Sequence, residues 1–490
     1  MKLSEYAALD GLALGELVRR REVSPGELVA LSLEAVEVVN PALSAVIETH
    51  EDRAEVNGDA GRGRGGQGPF AGVPFMLKDI GCAEAGRLCE AGSRLLRGWR
   101  ASDDTELMRR FRSAGLVNVG RTTTSEFACT ATVETAATGT TRNPWKLSHS
   151  TAGSSGGSAA AVASGIVPIA HGSDGGGSIR MPASCCGVVG LKPSRGRVSP
   201  APASTLPGDL SVEFVLTRSV RDVAAVLDAV AGPAPGDPYV ISPPEGSYID
   251  RLHRREKLRI AFTTEHFWNG LTDPEVAAAA QHVANVCEQL GHSVQQTRPL
   301  FDWEPFVDAT LDVWSAMTAA AVSWAAAQTG RRPGPEALEG HTRSWDDRGR
   351  GLSALELVAA TETLAAVSQQ VARFFADFDV LVTPTIPTLP LALGQYDPAQ
   401  EVPSSWYYES AIGNLESTTS VFNCTGQPAI SLPLGQSAEG LPIGVHLAGR
   451  FGGEVTLLAL AASLEEAVPW ASRRPAIHVG ALSDTIGDIR

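Results

Sequence analysis

The chain has 490 residues, of which 43% are apolar and 19% are charged, so it can bury a large core and is neither a disordered nor a fibrous protein. Its formal net charge of −15 argues against nucleic acid or an anionic membrane as a partner, because like charges repel. The seven cysteines are odd in number and scattered, which indicates a reducing compartment rather than a disulfide framework.

The N-terminal segment does not have the pattern of a secretion signal. Glu5, Asp10 and Glu16 interrupt any apolar run there. Two alanine-rich apolar stretches, at residues 159–170 and 316–327, are too short to span a bilayer. We therefore expect a cytoplasmic protein.

Helix and strand signals alternate along the first 120 residues. Ser24, Pro25, Gly26 and Glu27 have the form of a capping box with proline at the first helical position, which predicts a helix from residue 25. The short apolar runs at 72–80 and 116–120 predict buried strands, and the intervening residues 104–114 are predicted to be helical.

The alternation continues in the second half of the chain. A strand is predicted at residues 258–262, and Asp273 with the following proline predicts a helix that Gly291 ends. Further strands are predicted at 293–295 and 379–383. Strands that alternate with helices indicate an α/β sheet with helices on both faces.

Two stretches lack both signals. Residues 232–246 are rich in proline and glycine and are the best candidate for a linker, although nothing else marks a domain boundary there. Residues 384–405 form a second irregular stretch.

Residues 152–193 have the most unusual composition, since Gly/Ser clusters at 153–158 and 172–178 flank one apolar segment. Glycine allows backbone conformations in which several peptide N–H groups point into one cavity, and acyl transfer needs a serine hydroxyl among such donors. Flexible linkers are a simpler interpretation, but linkers do not alternate with buried segments. A phosphate-binding loop is a weaker one, because the sequence has no G-x-x-x-x-G-K-[ST] match.

A nucleophile elbow is a third interpretation, because residues 153–157 match G-x-S-x-G with Ser155 as the nucleophile. That mechanism requires an acid and then a histidine further along the chain. His253, His341 and His446 follow, but no surrounding pattern distinguishes any of them.

The stretch at 152–193 closely resembles the core motif of the amidase signature family. The shared pattern is a GSSGGS cluster, an apolar spacer, G-[ST]-D-x-G-G-S-I-R and a C-G-V-V-G-L-K-P ending. Other segments that resemble the family are residues 72–79, 121–127, 141–145, 216–223 and 423–444. The resemblance covers nearly the whole chain. It implies an amidase-signature fold of the α/β class, with a large mixed central β-sheet covered by helices on both faces.

The resemblance also assigns roles to individual residues. Lys78 corresponds to the catalytic lysine, Ser154 to a bridging serine that follows a cis peptide bond, and Ser178 to the nucleophile. The backbone N–H groups implied to form the oxyanion hole are those of Gly175, Gly176, Gly177 and Ser178. No cofactor and no metal are implied.

The chemistry of these residues is consistent with those roles. Serine needs a base, and lysine serves as one only when neutral, a state that burial on an apolar strand favours. Ser154 would then relay the proton from Ser178 to Lys78. Asp174 and Arg180 are interpreted as a structural ion pair, with Asp174 as the acid of a triad with His171 as the alternative. Gly175 stands where the family has a larger residue, so we expect a looser or wider oxyanion loop.

Substrate preference is predicted from the segments least like the family. We expect one amidase domain over residues 1–490, with variable substrate-lining segments at 301–410. Aromatic residues there that would line an apolar acyl pocket, or pack in the core, are Trp303, Trp314, Trp324, Trp345, Trp406, Tyr407 and Tyr408. Details at 170–172, 195–200 and 469–475 resemble the aminohexanoate cyclic-dimer hydrolases, which implies a small, neutral or apolar amide, cyclic ones included.

Several alternatives stay open. The same family includes the glutaminase subunit of tRNA-dependent amidotransferases, which would require a partner subunit. An esterase or acyltransferase would use the same nucleophile, and a binding protein with an inactive site is a further class, against which the intact Lys78, Ser154 and Ser178 argue. The expected partner is a small-molecule amide, and the sequence leaves a homodimer open.

Overall fold

The computed structural model describes residues 1–55, 68–203, 209–268 and 271–481. The strands are β1 (Val46–Thr49), β2 (Pro74–Lys78), β3 (Val117–Thr122), β4 (Glu134–Thr135), β5 (Gly139–Thr140), β6 (Arg142–Asn143), β7 (Lys146–Ser150), β8 (Ile169–Asp174), β9 (Val189–Lys192), β10 (Val212–Thr217), β11 (Arg259–Phe262), β12 (Ser293–Gln296), β13 (Val380–Pro384), β14 (Ala429–Gln436) and β15 (Pro442–Gly449).

The helices are α1 (Leu3–Ala8), α2 (Gly11–Arg19), α3 (Pro25–Leu43), α4 (Asp52–Glu55), α5 (Glu106–Ser113), α6 (Gly156–Ala163), α7 (Arg180–Cys186), α8 (Val220–Val230), α9 (Pro274–Gln289), α10 (Trp303–Thr329), α11 (Gly340–Gly351), α12 (Ala354–Asp377), α13 (Trp406–Glu409), α14 (Ala411–Asn414), α15 (Val421–Cys424) and α16 (Glu454–Ala467).

One mixed sheet organises the molecule. Eleven strands of the described chain lie in the order β1-β3-β2-β8-β10-β9-β14-β15-β13-β11-β12. β2 runs parallel to both β3 and β8, and β11 runs parallel to both β12 and β13. The other neighbouring pairs are antiparallel. Helices pack around this sheet, which confirms the predicted α/β fold with a large mixed central sheet.

Local sequence signals account for several of these elements. The Ser24 hydroxyl accepts a hydrogen bond from the Glu27 N–H, and the Glu27 carboxylate accepts one from the Ser24 N–H, so the predicted capping box begins α3. β2 is buried along its whole length, as its apolar run predicted. In α9, Val276 and Val283 are buried, whereas Leu290 is exposed because it lies beyond the last helical residue.

The predicted irregular stretches carry little regular structure. β10, before residues 232–246, and β11, after them, belong to the same sheet. Residues 385–405 contain no helix or strand, apart from an isolated bridge between Ala392 and His149. The seven cysteines are all free thiols, and six of them are buried.

The length and hydropathy of a helix decide whether it could cross a membrane. In the described part of the chain, no single helix has both the length and the apolar character needed to cross a membrane. α11 and α12, bent by 108° relative to each other, meet that test only when taken together.

A dense group of aromatic side chains from residues 341–408 packs together. We call it the aromatic cluster, and its members are His341, Trp345, Tyr396, Trp406, Tyr407 and Tyr408. Met181 and Cys185 of α7 belong to the same buried core. Tyr407 contacts Glu416, which packs on Gly176 in the loop that joins β8 to α7, so the cluster is close to this loop.

Candidate active site

Lys78 is the last residue of β2, and the direction of the strands determines what it reaches. β2 and β8 are parallel neighbours, so their carboxyl ends lie at the same edge of the sheet. The Lys78 Nζ donates to Ser154 Oγ and to Ser173 Oγ, each at 2.7 Å. Lys78 is 1% exposed, so this contact is shielded from bulk water.

The environment of Lys78 favours its neutral form. Burial lowers the pKa of Lys78 to about 7, because a desolvated ammonium is disfavoured. The charges of Glu213 and Asp174 act in the opposite direction and offset part of that effect. A lysine with this pKa is a competent proton acceptor near neutral pH.

The first Gly/Ser cluster places two adjacent serines in different surroundings. The Gly153–Ser154 peptide bond is cis, as the resemblance implied, and Ser154 lines a cavity. Ser155 lies at the start of α6, fully buried. Its hydroxyl donates to the Ser173 carbonyl at 3.1 Å and accepts from the Ser173 N–H at 3.3 Å. The Ser155 hydroxyl therefore ties the start of α6 to the Ser173 backbone, and no described histidine hydrogen-bonds to it.

Ser178 lies in the loop that connects β8 to α7. It is 7% exposed and lines the same cavity as Ser154, while no described group hydrogen-bonds to its hydroxyl. Gly177 has a φ of +145°, a conformation that residues with a Cβ rarely adopt. The N–H groups of Gly176, Gly177 and Ser178 donate to no acceptor in the described part of the chain.

The cavity in front of Ser178 has a volume of about 190 Å³. Trp314, Met317, Thr318 and Ala321 of α10 face it, with the spacing of one helix face. Its other lining residues are Ile80, Phe127, Ala128, Cys129, Ser154, Ser173, Gly175, Gly176, Ser178, Ser211, Glu213, Trp345 and Glu416. The wall is thus largely apolar, with hydroxyls and two carboxyl groups at defined points.

Gly175 does not leave the loop open, contrary to the expected loosening. A Cβ at this position would lie 2.4 Å from a ring carbon of Trp314. The indole therefore occupies the space that a larger residue would take. The absence of a side chain at 175 allows α10 to approach the loop closely.

Asp174 and Arg180 form a buried ion pair on either side of the loop. Arg180 Nε and Nη2 donate to the two Asp174 oxygens at 2.9 and 2.8 Å. Arg180 also donates to the Thr419 carbonyl at 2.9 Å, and Asn423 Nδ2 donates to Asp174 Oδ1 at 2.9 Å. The guanidinium and these hydrogen bonds hold the pKa of Asp174 below its usual range despite burial.

The alternative triad of His171 with Asp174 is not formed. His171 Nε2 lies 2.7 Å from Glu213 Oε2, and Asp174 is engaged by Arg180 instead. His171 is fully buried within β8, where its side chain packs against Phe111. The imidazole therefore orients Glu213, and it hydrogen-bonds to no serine hydroxyl of the described chain.

The predicted aromatic residues divide between the cavity and the core. Trp314 and Trp345 line the cavity. Trp303 packs against Trp268 and Phe306 and does not line the cavity. Trp324 contacts Trp99. Trp406, Tyr407 and Tyr408 belong to the aromatic cluster.

Sequence reasoning missed three polar residues at this site. Ser173 accepts a hydrogen bond from Lys78, and Glu213 and Glu416 line the cavity. Glu213 interrupts the apolar run of a strand that pairs with β8, which is a signal that could have been noticed. Glu416 lies in a polar segment rich in Ser and Thr, where no local pattern distinguishes it.

Known proteins of one family resemble this chain in sequence and in fold. A family model described as Amidase matches residues 27–458. A 6-aminohexanoate-cyclic-dimer hydrolase of Paenarthrobacter ureafaciens is 37% identical over 482 residues, covering 95% of this chain and 96% of the relative. The structure of a 6-aminohexanoate cyclic dimer hydrolase complexed with substrate has a TM-score of 0.90 and 35% identity, covering 96% of this chain and 99% of that one.

A bacterial aryl acylamidase of the amidase signature enzymes has a TM-score of 0.83 and 25% identity, with 97% of this chain and 98% of that chain covered. Family model, relatives and solved structures thus agree over nearly the full length of the sequence. The chain belongs to the amidase family and is an amide-cleaving enzyme.

Proposed function

We propose that this enzyme hydrolyses a carbon–nitrogen bond of a small, neutral amide, cyclic ones included, through an acyl-enzyme on Ser178. The observation that carries the proposal is the 2.7 Å hydrogen bond between Lys78 and Ser154 at the wall of the cavity that contains Ser178. It provides a desolvated base and a hydroxyl relay next to an accessible serine.

The reaction begins with transfer of the Ser178 proton to Ser154, whose own proton passes to neutral Lys78. The link from Ser154 to Ser178 is not a hydrogen bond in this structure, and such catalytic contacts often tighten only when substrate binds. The freed Ser178 Oγ attacks the amide carbon. The relay then runs backwards and protonates the leaving nitrogen, so that a neutral amine departs.

The tetrahedral intermediate carries a negative charge on the former carbonyl oxygen. We assign its stabilisation to the N–H groups of Gly175, Gly176, Gly177 and Ser178. Losing one such donor typically costs about 2.7–4 kcal/mol of transition-state stabilisation. Water activated by the same relay then hydrolyses the ester and regenerates Ser178.

The cavity and the relatives together support a compact substrate. The volume of about 190 Å³ admits a small molecule, and Trp314, Met317 and Trp345 provide apolar walls. The relative from Paenarthrobacter ureafaciens is named for a cyclic dimer of 6-aminohexanoate. We infer that cyclic or otherwise compact amides of neutral charge are the substrates of this enzyme.

We also propose a single amidase domain over residues 1–490, with residues 301–410 supplying variable substrate-lining segments. The α10 residues in the cavity wall support this for the first part of that range. A cytoplasmic location is supported by the seven free thiols. An amidotransferase subunit is the less supported function, because two relatives at 36–37% identity over nearly the whole chain are named hydrolases.

Turnover of a panel of amides and esters by wild type, Ser178→Ala, Lys78→Ala and Ser155→Ala tests the proposal. We expect Ser178→Ala to lower kcat/KM by about 10³-fold or more, since the residual activity of such variants is small. Ser155→Ala is the matched control, because Ser155 bonds only to backbone, and should stay within about tenfold of wild type. Full activity of Ser178→Ala would refute the mechanism.

A further inference from the structure

We propose that Glu416, assisted by Glu213, forms an acceptor subsite that binds an N–H donor on the substrate, either a protonated amine or a second amide N–H. The inference rests on the proposed function, since it concerns the part of the amide remote from the bond that Ser178 attacks. The subsite would require a polar group on the substrate, although the walls of the cavity are otherwise mostly apolar.

Glu416 is held against the nucleophile loop. A Cβ on Gly176 would lie 2.6–2.8 Å from the Glu416 carboxyl atoms, so the carboxyl group packs directly on that glycine. Tyr407 of the aromatic cluster donates its hydroxyl to Glu416 Oε1 at 2.6 Å. No described group donates to Oε2, and Glu416 lines the cavity, which leaves this oxygen for a ligand.

Glu213 adds a second carboxyl group to the same cavity. Its Oε2 lies 2.7 Å from His171 Nε2, so its position is determined by a buried partner. The carboxyl also packs on Gly81, where a Cβ would lie 2.4 Å from both oxygens. Glu213 is thus fixed in place, lines the cavity and has about a fifth of its side chain exposed.

The balance of charge in the cavity follows from these two residues. No Lys or Arg is among the described residues that line it, and Lys78 lies behind Ser154 and Ser173. A substrate with a carboxylate at this end would meet two carboxyl groups and no cation. An apolar end would leave the buried Glu416 oxygen without a donor, which is costly. An N–H donor on the substrate would complement the carboxyl groups of both Glu416 and Glu213.

This arrangement predicts that the enzyme strongly prefers substrates with an N–H donor at the far end over analogues without one. A site that hydrogen-bonds a substrate N–H rejects analogues without it far better than an apolar pocket rejects an altered methylene chain. A compact diamide satisfies the subsite with its second amide, and a linear aminoacyl amide satisfies it with its ammonium group. Both the amide and the ammonium group offer an N–H donor, and the experiment below distinguishes them.

The test uses 4-nitroanilides whose acyl chains have the same length up to the group at the far end. The acyl groups are 6-aminohexanoyl, heptanoyl, 5-carboxypentanoyl (from adipate) and 6-acetamidohexanoyl, which is longer by its acetyl group. We expect kcat/KM for either N–H-bearing substrate to exceed that for heptanoyl by about tenfold or more, with adipate the poorest. Ammonium above acetamido identifies charge as the feature recognised, and equal values identify the N–H; both outcomes support the subsite.

Variants then assign the effect to the residue. In Glu416→Leu the ratio of kcat/KM for 6-aminohexanoyl over heptanoyl should fall about tenfold, because both acceptor oxygens are removed at nearly constant size. Glu409→Leu, at an exposed neighbour outside the cavity, is the matched control and should keep the wild-type ratio.

Two results would overturn the subsite: heptanoyl cleaved as well as both N–H substrates by wild type, or an unchanged ratio in Glu416→Leu. The first needs no variant, so a folding defect cannot obscure it. Hydrolysis of the anilides that persists in Ser178→Ala would instead contradict the proposed function. The two failures are therefore distinguishable.

Discussion

Lys78 lies at the end of a buried strand, and no described carboxylate forms an ion pair with it. Its two hydrogen-bonding partners are hydroxyl groups, which do not compensate a positive charge as a carboxylate would. Burial therefore decides the protonation state. A surface lysine at the same distance from Ser154 would stay protonated at neutral pH and could not act as the base.

The pH dependence of kcat/KM follows from this burial. The pKa of Lys78 is lowered to about 7, so the amine is protonated and inactive below pH 7 and neutral and active above it. With an uncharged amide, kcat/KM should rise through an apparent pKa of about 7 and then level off. Because burial also raises the pKa of Glu416 to about 7, Glu416→Gln is the control and should keep the rise. A flat profile between pH 5 and 9 would exclude Lys78 as the base.

Gly175 provides a second test at this scale. Gly175→Ala would place a Cβ 2.4 Å from the Trp314 ring, so the loop or the indole must shift. We expect kcat/KM to fall by about tenfold to 10²-fold, because small displacements of reacting groups are costly. Adding Trp314→Leu should recover part of the loss. Gly334→Ala, where a Cβ meets nothing within 4 Å, should resemble wild type. Wild-type kinetics for Gly175→Ala would show that the contact does not position the loop.

At the scale of elements, α3 shows how a local signal defines a helix. Ser24→Ala removes the hydroxyl that accepts from the Glu27 N–H. The free energy of unfolding, measured in urea, should fall by about 1 kcal/mol. Ser24→Thr preserves the cap, so its free energy of unfolding should fall by only about 0.3 kcal/mol. Equal stability of Ser24→Ala and wild type would mean that packing alone holds the start of α3.

The elements predicted from sequence share such local signals. The α3 capping box, the apolar run of β2 and the proline start of α9 each act within a few residues. β8 and β10 were not predicted individually, and their pairing aligns His171 with Val215 across the sheet. Pairing between strands depends on long-range packing, which no short window of sequence contains.

At the scale of the whole molecule, the Asp174–Arg180 pair connects distant parts of the chain. Through Arg180 and Asn423 it joins β8 to the segment after α14, about 240 residues further along. Asp174→Asn would leave a buried guanidinium without its counter-charge. The free energy of unfolding should fall by about 3–5 kcal/mol, as found when one partner of a buried pair is removed.

The exposed pair between Arg254 and Glu256 is the control for that measurement. Both side chains are about half exposed, so Glu256→Gln should change the free energy of unfolding by no more than about 0.5 kcal/mol. Similar losses in the two variants would show that the buried network adds no more to stability than a surface pair.

The part of the candidate site that lies in short sequence motifs could be predicted from the sequence. Lys78 and Ser154, 76 residues apart, were assigned by resemblance, and the structure places them 2.7 Å from each other. Glu416 was not predictable, because its position in the cavity depends on how the segment after α14 folds over Gly176. The orientation of Glu213 likewise depends on the pairing of β8 with β10.

The most direct test of the account is covalent labelling with a fluorophosphonate, followed by mass spectrometry of the digested protein. The reagent reacts with an activated serine, so the adduct identifies the nucleophile. We predict one adduct per chain on the peptide that contains Ser178, and none in Ser178→Ala. Labelling that persists in Ser178→Ala, or an adduct on Ser155 or any other serine, would contradict the assignment of Ser178.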